Sequence, residues 1–320
     1  MQAGIDIGYN AGKFVTDSRR ASFASVVGTP TRQRFSVNGH QNEILLTVAG
    51  QSWLVGDSAV ENSRFLKRRE DRHWVDSEEY LVVALAGLSE LTTANGVEVK
   101  LVTGLPVNYF ADKSTVEQRL RGEHRVQRAG RNAQRFSITD IRVVPQPFGT
   151  LLNEALDQRG NLGQPELAGR VGVIDIGGKT TNILSANKLA ELPGETVSIN
   201  LGGWDIIRQL REQLAEVVPD LELRDHELAA VLRERRVRVA GEWIDLPKID
   251  DILTPMADQV SGTIQQLWGS ALRLDVILIS GGGAHLIGDR LRQQFKQARV
   301  VKSPVYANAL GFWKLSQRLR

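Results

Sequence analysis

Two stretches of the chain carry the same chemistry. Gly4-Ile5-Asp6-Ile7-Gly8 and Val173-Ile174-Asp175-Ile176-Gly177 are both apolar strand patterns that end in Asp-Ile-Gly. An Asp at a strand end, followed by Gly in a tight turn, sets a carboxylate beside backbone N–H groups that the missing side chain leaves uncovered. Successive N–H groups in such a turn form an anion-binding concavity. The carboxylate can also hold a hydrated Mg²⁺ that phosphates share. Lys13 follows the first Asp and Lys179 the second, and each could bring positive charge to a β- or γ-phosphate. Taken singly, each stretch reads as a β-hairpin with Asp as turn former. The pair at corresponding places favours phosphate binding, because an internal repeat implies two related, facing domains.

A third element has the same character. Ile277-Leu278-Ile279-Ser280-Gly281-Gly282-Gly283 is a buried-type strand running into three glycines, after which a helix pattern begins. Three consecutive glycines carry a high entropic cost, so a closely approaching ligand or backbone is expected there. The chain has neither G-x-G-x-x-G nor G-x-x-x-x-G-K-[ST], so a dinucleotide Rossmann site and a P-loop are both unsupported. His285, at the start of the helix, reads as a cap or surface residue.

Composition narrows the remaining chemistry. The 320 residues include no cysteine, which excludes disulfides, thiol nucleophiles, iron–sulfur clusters and Cys-based zinc sites. The five histidines form no H-x-x-x-H pair, which argues against a zinc hydrolase. A net charge of +3 is too small for a dedicated nucleic-acid binder. No basic segment precedes the first apolar strand, so no secretory signal is read, and the apolar run Leu81 to Leu88 is too short for a membrane span. A cytoplasmic protein is expected.

These residues need elements to hold them. Short β-branched runs alternate with stretches of 3.6 period, which reads as α/β. Strands are expected at Ala3–Ile7, Glu43–Val48, Ser52–Val55, Val97–Thr103, Phe136–Val144, Val171–Ile176, Asn182–Ala186, Thr196–Asn200 and Asp275–Ile279. Helices are expected at Ser77–Thr92, Thr150–Asp157, Trp204–Val217, Asp225–Arg233, Ile249–Ala271 and Leu286–Gln297. The Gly- and Pro-containing stretch Gly160 to Gly169 reads as the crossing between halves.

With these motifs in order, the sequence resembles the actin/Hsp70/sugar-kinase superfamily, and most of all the bacterial ParM/StbA plasmid-partition actins. The phosphate 1 pattern matches Asp6, Gly8 and Lys13, and phosphate 2 matches Asp175, Gly177, Gly178 and Thr180. The connecting motifs match Val144-Pro145-Gln146-Pro147-Phe148-Gly149 and Ala307-Asn308-Ala309-Leu310-Gly311. The adenosine motif matches Ser280-Gly281-Gly282-Gly283, and Leu201-Gly202-Gly203-Trp204-Asp205 resembles a glycine segment near the nucleotide.

The resemblance implies an α/β, two-domain actin-like fold of duplicated ribonuclease-H-like type with an interdomain nucleotide cleft. Domain I would span 1–160, with the C-terminal helix 305–320 packing back on it, and domain II would span 161–304. Asp6 and Asp175 would organise Mg²⁺ through water. Phosphate would be bound by Lys13, by the turn residues Gly8, Tyr9 and Asn10, and by Gly177, Gly178, Lys179 and Thr180. Gly202, Gly203, Gly281, Gly282 and Gly283 would let backbone approach the nucleotide, which is ATP with GTP as the alternative. Gln146 would orient the attacking water; because Gln is no strong base, hydrolysis would be slow and act as a timer. Where relatives often read G-G-T-T-x-D, this chain has Asn182 in place of the carboxylate. The residues gripping base and ribose would lie on the helix around His226 to Arg233.

The function implied is a nucleotide-dependent filament that separates plasmid copies, with the chain itself and a DNA-binding adaptor as partners and no membrane contact. A cell-shape or division actin and a sugar kinase are the competing readings; no extra Asp motif for an acceptor site supports the kinase. Two basic segments, 67–72 and 119–135, read either as solvated faces or as contacts with a neighbouring subunit or DNA. Within the second, Gln127 to Asn132 reads as a hairpin turn.

Overall fold

The structure, a computed structural model, describes residues 1–30, 43–67, 69, 71–246 and 249–319, without the side chain of His226. Arg68 of the basic segment 67–72 therefore lies outside the described residues. The chain forms two compact units, one of Met1–Gly169 with Val305–Arg320 and one of Arg170–Pro304.

The first unit is built on a ten-stranded sheet. Its strands are β1 (Gln2–Ile7), β2 (Ala11–Val15), β3 (Arg20–Ala24), β4 (Val27–Gly28), β5 (Leu45–Val48), β6 (Gln51–Val55), β7 (Leu66–Lys67), β8 (Val97–Leu105), β9 (Gly122–Arg128) and β10 (Gln134–Pro145). They lie in the order β3-β2-β1-β8-β10-β9-β5-β6-β4-β7. β1 runs parallel to β8, and β8 parallel to β10. Strands buried on both faces need covering helices. The helices of this unit are α1 (Asp57–Asn62), α2 (Glu78–Leu91), α3 (Lys113–Leu120), α4 (Gln146–Ala155) and α9 (Ala307–Ser316). α2 is capped by Ser77, whose side chain accepts from the Tyr80 N–H, and its Val82, Val83, Leu85 and Ala86 are buried in the main core. α9 packs on β1, where a Cβ at Gly4 would fall 2.1 Å from the Ala309 carbonyl oxygen. It also packs on α4, where a Cβ at Gly311 would fall 1.8 Å from the Gly149 carbonyl oxygen.

The second unit repeats the pattern. Its strands are β11 (Arg170–Ile176), β12 (Thr181–Asn187), β13 (Ala190–Glu191), β14 (Val197–Ile199), β17 (Val276–Ser280) and β18 (Ala298–Val300), with a separate hairpin of β15 (Arg236–Val239) and β16 (Glu242–Asp245). Its helices are α5 (Gly203–Val217), α6 (Asp225–Glu234), α7 (Ile249–Trp268) and α8 (Ala284–Gln294). The order β13-β12-β11-β17-β18 matches β3-β2-β1-β8-β10, in each case an antiparallel hairpin followed by two parallel neighbours. The duplication suggested by two tripeptides is thus a duplication of topology.

Several expected elements shift for identifiable reasons. α4 begins at Gln146 rather than Thr150, because Pro147 sits in the first turn, where its missing N–H costs nothing. α7 stops at Trp268 rather than Ala271, since Gly269 and Ala271 both take positive φ. β2 and β3 had no β-branched run to mark them; they form by pairing with β1.

Candidate functional site

Each unit presents its chemistry where parallel strands end, the carboxyl edge at which α/β sheets place ligands. In the first unit, β1 ends at Asp6 and Ile7, and the turn 8–11 leads into β2. Asp6 is buried. Gln146, the first residue of α4, is buried as well, and its Nε2 donates to Asp6 Oδ1 at 2.7 Å. The start of α4 at Gln146 therefore brings that side chain onto the Asp6 carboxylate. Lys13 stands opposite Asp6 across the hairpin, and its Nζ donates to the Ala11 carbonyl at 3.1 Å, folding the cation over the turn. Tyr9 donates its hydroxyl to the Asp71 carbonyl at 3.3 Å. Asn10 is exposed at the tip.

One neighbour escaped the sequence. Tyr80 on α2 is fully buried, and burial pushes its phenol well above the usual range, with the charge of Asp6 adding to the shift. Nothing in the pattern of α2 separates this Tyr from an ordinary core aromatic.

The second unit holds the matching turn. Asp175 is buried at the end of β11, and Ser280 at the end of β17 donates its hydroxyl to Asp175 Oδ1 at 3.4 Å. The turn 177–180 closes with Gly177 N–H donating to the Thr180 carbonyl at 2.9 Å. Gly202 and Gly203 lie directly against this turn. Gly203 N–H donates to the Gly177 carbonyl at 3.0 Å and Trp204 N–H to the Gly178 carbonyl at 2.8 Å, while Gly202 N–H donates to Asp205 Oδ2 at 2.9 Å. The N–H groups at the start of α5 are thus engaged in holding the turn, and a Cβ at Gly202 would meet the Gly178 carbonyl oxygen at 2.4 Å.

The triple glycine divides its tasks. Gly281 has φ +84°, and a Cβ there would sit 2.7 Å from Asp175 Oδ1. A Cβ at Gly283 would strike Ile176 Cγ2 at 2.2 Å, at the point where α8 begins. Gly282 has nothing within 4 Å of the place its Cβ would take. Close packing inside the protein thus accounts for Gly281 and Gly283, whereas the open face of Gly282 is free for an approaching group. His285 is exposed, as a surface residue of α8.

The two turns superimpose in pairing but not in charge. Asp6 faces Lys13 exactly where Asp175 faces Asn182. Lys179 lies in the turn, at the place of Asn10, so the two lysines are not counterparts. A carboxylate with amide and hydroxyl oxygens around it is a hard oxygen set, which suits Mg²⁺ rather than a softer metal. A glycine edge with open approach suits a phosphate-bearing ligand. The residues present fit both groups.

The basic segment 119–135 does form a hairpin, β9 with β10. It is not simply solvated. Arg128 is buried and ion-paired with Glu90, and Arg131 reaches the same carboxylate at 3.6 Å and donates to the Ser89 carbonyl at 2.8 Å. Arg119 donates to the Ser77 carbonyl and Arg121 to that of Thr139. In the segment 67–72, Arg72 makes a two-pronged contact with Asp112 at 2.6 and 2.7 Å. The side chain of His226 lies outside the described residues; α6 itself spans the region expected to grip the base.

A hairpin-plus-parallel-strand module that occurs twice, each copy ending in a carboxylate and a glycine turn, defines a two-domain actin-like protein. Comparison with known proteins agrees. Residues 4–149 match a family described as actin-like proteins, N-terminal domain, and residues 173–293 match one described as archaeal actin homologue MreB-like, C-terminal. The chain has an actin-like fold, and each of its halves is similar to a family of actin-like proteins. It is 25% identical over 335 residues to an archaeal actin homologue of Thermoplasma acidophilum, covering 98% of each chain. The crystal structure of an archaeal actin homologue in complex with ADP superimposes with a TM-score of 0.82 at 22% identity, over 99% of both chains. A ParM from a 15-stranded filament of Clostridium botulinum gives 0.81 at 20% identity, again over 99% of both. Among the described residues, no helix is long and apolar enough to cross a membrane.

Proposed function

We propose that the protein is a slow, Mg²⁺-dependent nucleoside triphosphatase that assembles into filaments in the cytoplasm, with ATP as the nucleotide and GTP as the alternative. The observation that carries this reading is the repeated carboxylate–glycine turn at the ends of β1 and β11, joined to Gln146 through Asp6 in the first unit. The turn residues Gly8, Tyr9, Asn10 and Lys13, and Gly177, Gly178, Lys179 and Thr180, bind phosphate. Gly282 admits the nucleotide to the backbone, while Gly281, Gly283, Gly202 and Gly203 hold the surrounding turns in place. Asp6 and Asp175 hold the hydration shell of Mg²⁺. Bound Mg²⁺ neutralises charge on the phosphates during transfer. Gln146, held by Asp6, orients the attacking water.

Self-association is supported by the likeness to a ParM filament subunit over the whole chain. On that basis the filament separates copies of DNA, linked to them by a DNA-binding adaptor. A second reading has its own support: the relatives matched by sequence are archaeal actin homologues, so a cell-shape or division actin is the alternative. The kinase reading has no such support.

Right-angle light scattering after adding Mg²⁺-ATP, with Mg²⁺-GTP and Mg²⁺-ADP as controls, tests the proposal. A rise with triphosphate and filaments by electron microscopy is the expected result, and the preferred base is read from the same traces. Nucleotide binding with no rise at high protein concentration would remove the filament.

A further inference from the structure

Across the ends of four strands in the second unit runs a line of buried polar side chains. The register pairs Asn182 with Asp175 on one side and with Ser198 on the other, and pairs Asp175 with Ser280. Directly opposed residues share a sheet face, so β14, β12, β11 and β17 contribute Ser198, Asn182, Asp175 and Ser280 to one row. All four are buried, Asn182 to 1% exposure. Such positions in the interior of a sheet are ordinarily apolar.

Asn182 is the member that the protein leaves unsatisfied. Its side-chain oxygen is buried and accepts no hydrogen bond from any described residue. A buried acceptor without a donor costs about 1–3 kcal/mol in general, so a site that keeps one has a use for it. Beside it stands the carboxylate of Asp175, also an acceptor. Two acceptors side by side call for a donor or a cation between them.

We infer that the Asn182 side-chain oxygen is a positioning acceptor for the hydration shell of the divalent cation held at Asp175. This rests on the nucleotide reading above and deepens it. A neutral amide orients a water without adding charge. With Asp175 the only carboxylate in the row, bare metal binds weakly, and tight binding waits for the phosphates to supply the remaining negative charge. The metal therefore arrives with nucleotide rather than ahead of it. In the first unit the matching position is Lys13, whose positive charge attracts phosphate.

The test compares wild type with Asn182→Asp and Asn182→Leu in two measurements. Free Mn²⁺ is followed by electron paramagnetic resonance as nucleotide-free protein is added, and ADP affinity is measured by calorimetry with Mg²⁺ and with EDTA. Removing an outer-shell partner commonly costs 10–100-fold in metal affinity, so about tenfold is the scale to look for. Asn182→Asp should bind Mn²⁺ alone about tenfold more tightly than wild type. Asn182→Leu should lose about tenfold of the gain in ADP affinity that Mg²⁺ provides, while its affinity in EDTA stays unchanged. Equal Mn²⁺ affinity in wild type and Asn182→Asp would overturn the inference, as would equal losses for Asn182→Leu with and without Mg²⁺, which mark a purely structural residue. Absence of ADP binding by wild type in both buffers would instead remove the nucleotide reading, and the Mn²⁺ comparison would still decide the role of Asn182.

Discussion

Gln146 and Asp6 are 140 positions apart in the chain and 2.7 Å apart in space, with the Gln146 amide donating to the Asp6 carboxylate. The carboxylate thereby fixes the rotamer of the side chain that the proposed reaction needs to aim a water. Gln146→Ala should lower triphosphate hydrolysis by roughly 10²–10³-fold, the scale of losing one well-placed hydrogen-bonding group. Nucleotide affinity should change little. Asp6→Asn should impair both, since the variant replaces the charged acceptor that holds Gln146 with a weaker neutral one and removes a negative charge from the glycine turn. Single-turnover hydrolysis beside equilibrium binding separates the two outcomes.

The unequal placement of the two lysines makes a second prediction. Lys13 is opposite Asp6 and folded over its turn, whereas Lys179 sits at a turn position that Asn10 occupies in the first unit. Lys13→Met should weaken triphosphate binding by about tenfold or more, the worth of one charge-assisted hydrogen bond. Lys179→Met should have the smaller effect. Competition against a fluorescent nucleotide reads both, and a larger loss at Lys179 would refute the assignment.

Close helix packing gives a stability prediction independent of function. A Cβ at Gly311 would lie 1.8 Å from the Gly149 carbonyl oxygen, a backbone atom that cannot swing aside. Gly311→Ala should destabilise by about 3 kcal/mol or more, at the upper end of overpacking costs. Thermal unfolding followed by circular dichroism measures it.

Glu90 anchors the arginine hairpin through Arg128, whose guanidinium burial pushes down to about 10. Glu90→Gln leaves that cation buried with no counter-charge, which should cost on the order of 3 kcal/mol. Arg128→Met together with Glu90→Leu should recover most of the loss, because the desolvation cost disappears with the pair. Chemical denaturation of the single and double variants checks this.

The exposed pair of Arg72 and Asp112 provides a pH signature. The hydrogen bond from Arg72 holds the Asp112 carboxyl below its ordinary value. A carboxyl depressed in the folded state stabilises above its unfolded pKa, and that contribution is lost as pH falls through the folded value. Asp112→Asn should therefore be less stable than wild type at neutral pH, with the difference closing below about pH 4. Paired melts across pH 3–7 show whether the curves converge.

Much of the site could be read in the sequence because its residues are punctuation. Asp-Ile-Gly after an apolar strand and three glycines before a helix mark turns by their residue types alone, and they fall where the strands end. The partners of those turns were harder to see. β2 carries Ala-Gly-Lys-Phe-Val, without a run of β-branched residues, and it is a strand because β1 offers an edge to pair with. Ser198 belongs to the buried row only through register, which no local pattern encodes. The pattern marks this helix only from Thr150, although it begins at Gln146, with Pro147 in the one helical turn that tolerates it. Arg128 and Arg131 read as surface charge until Glu90, on a different element, closed the pairs.

The packing of α9 on β1 fixes the order in which the molecule can mature on the ribosome. Gly4 waits for Ala309 and Trp313, roughly 300 residues later, and at typical elongation speeds that delay is on the order of 15–60 s. Through that interval the face of β1 and β2 around Val15 has no cover, and by its end Arg170–Pro304 has every strand it needs. The unit synthesised first is the one finished last.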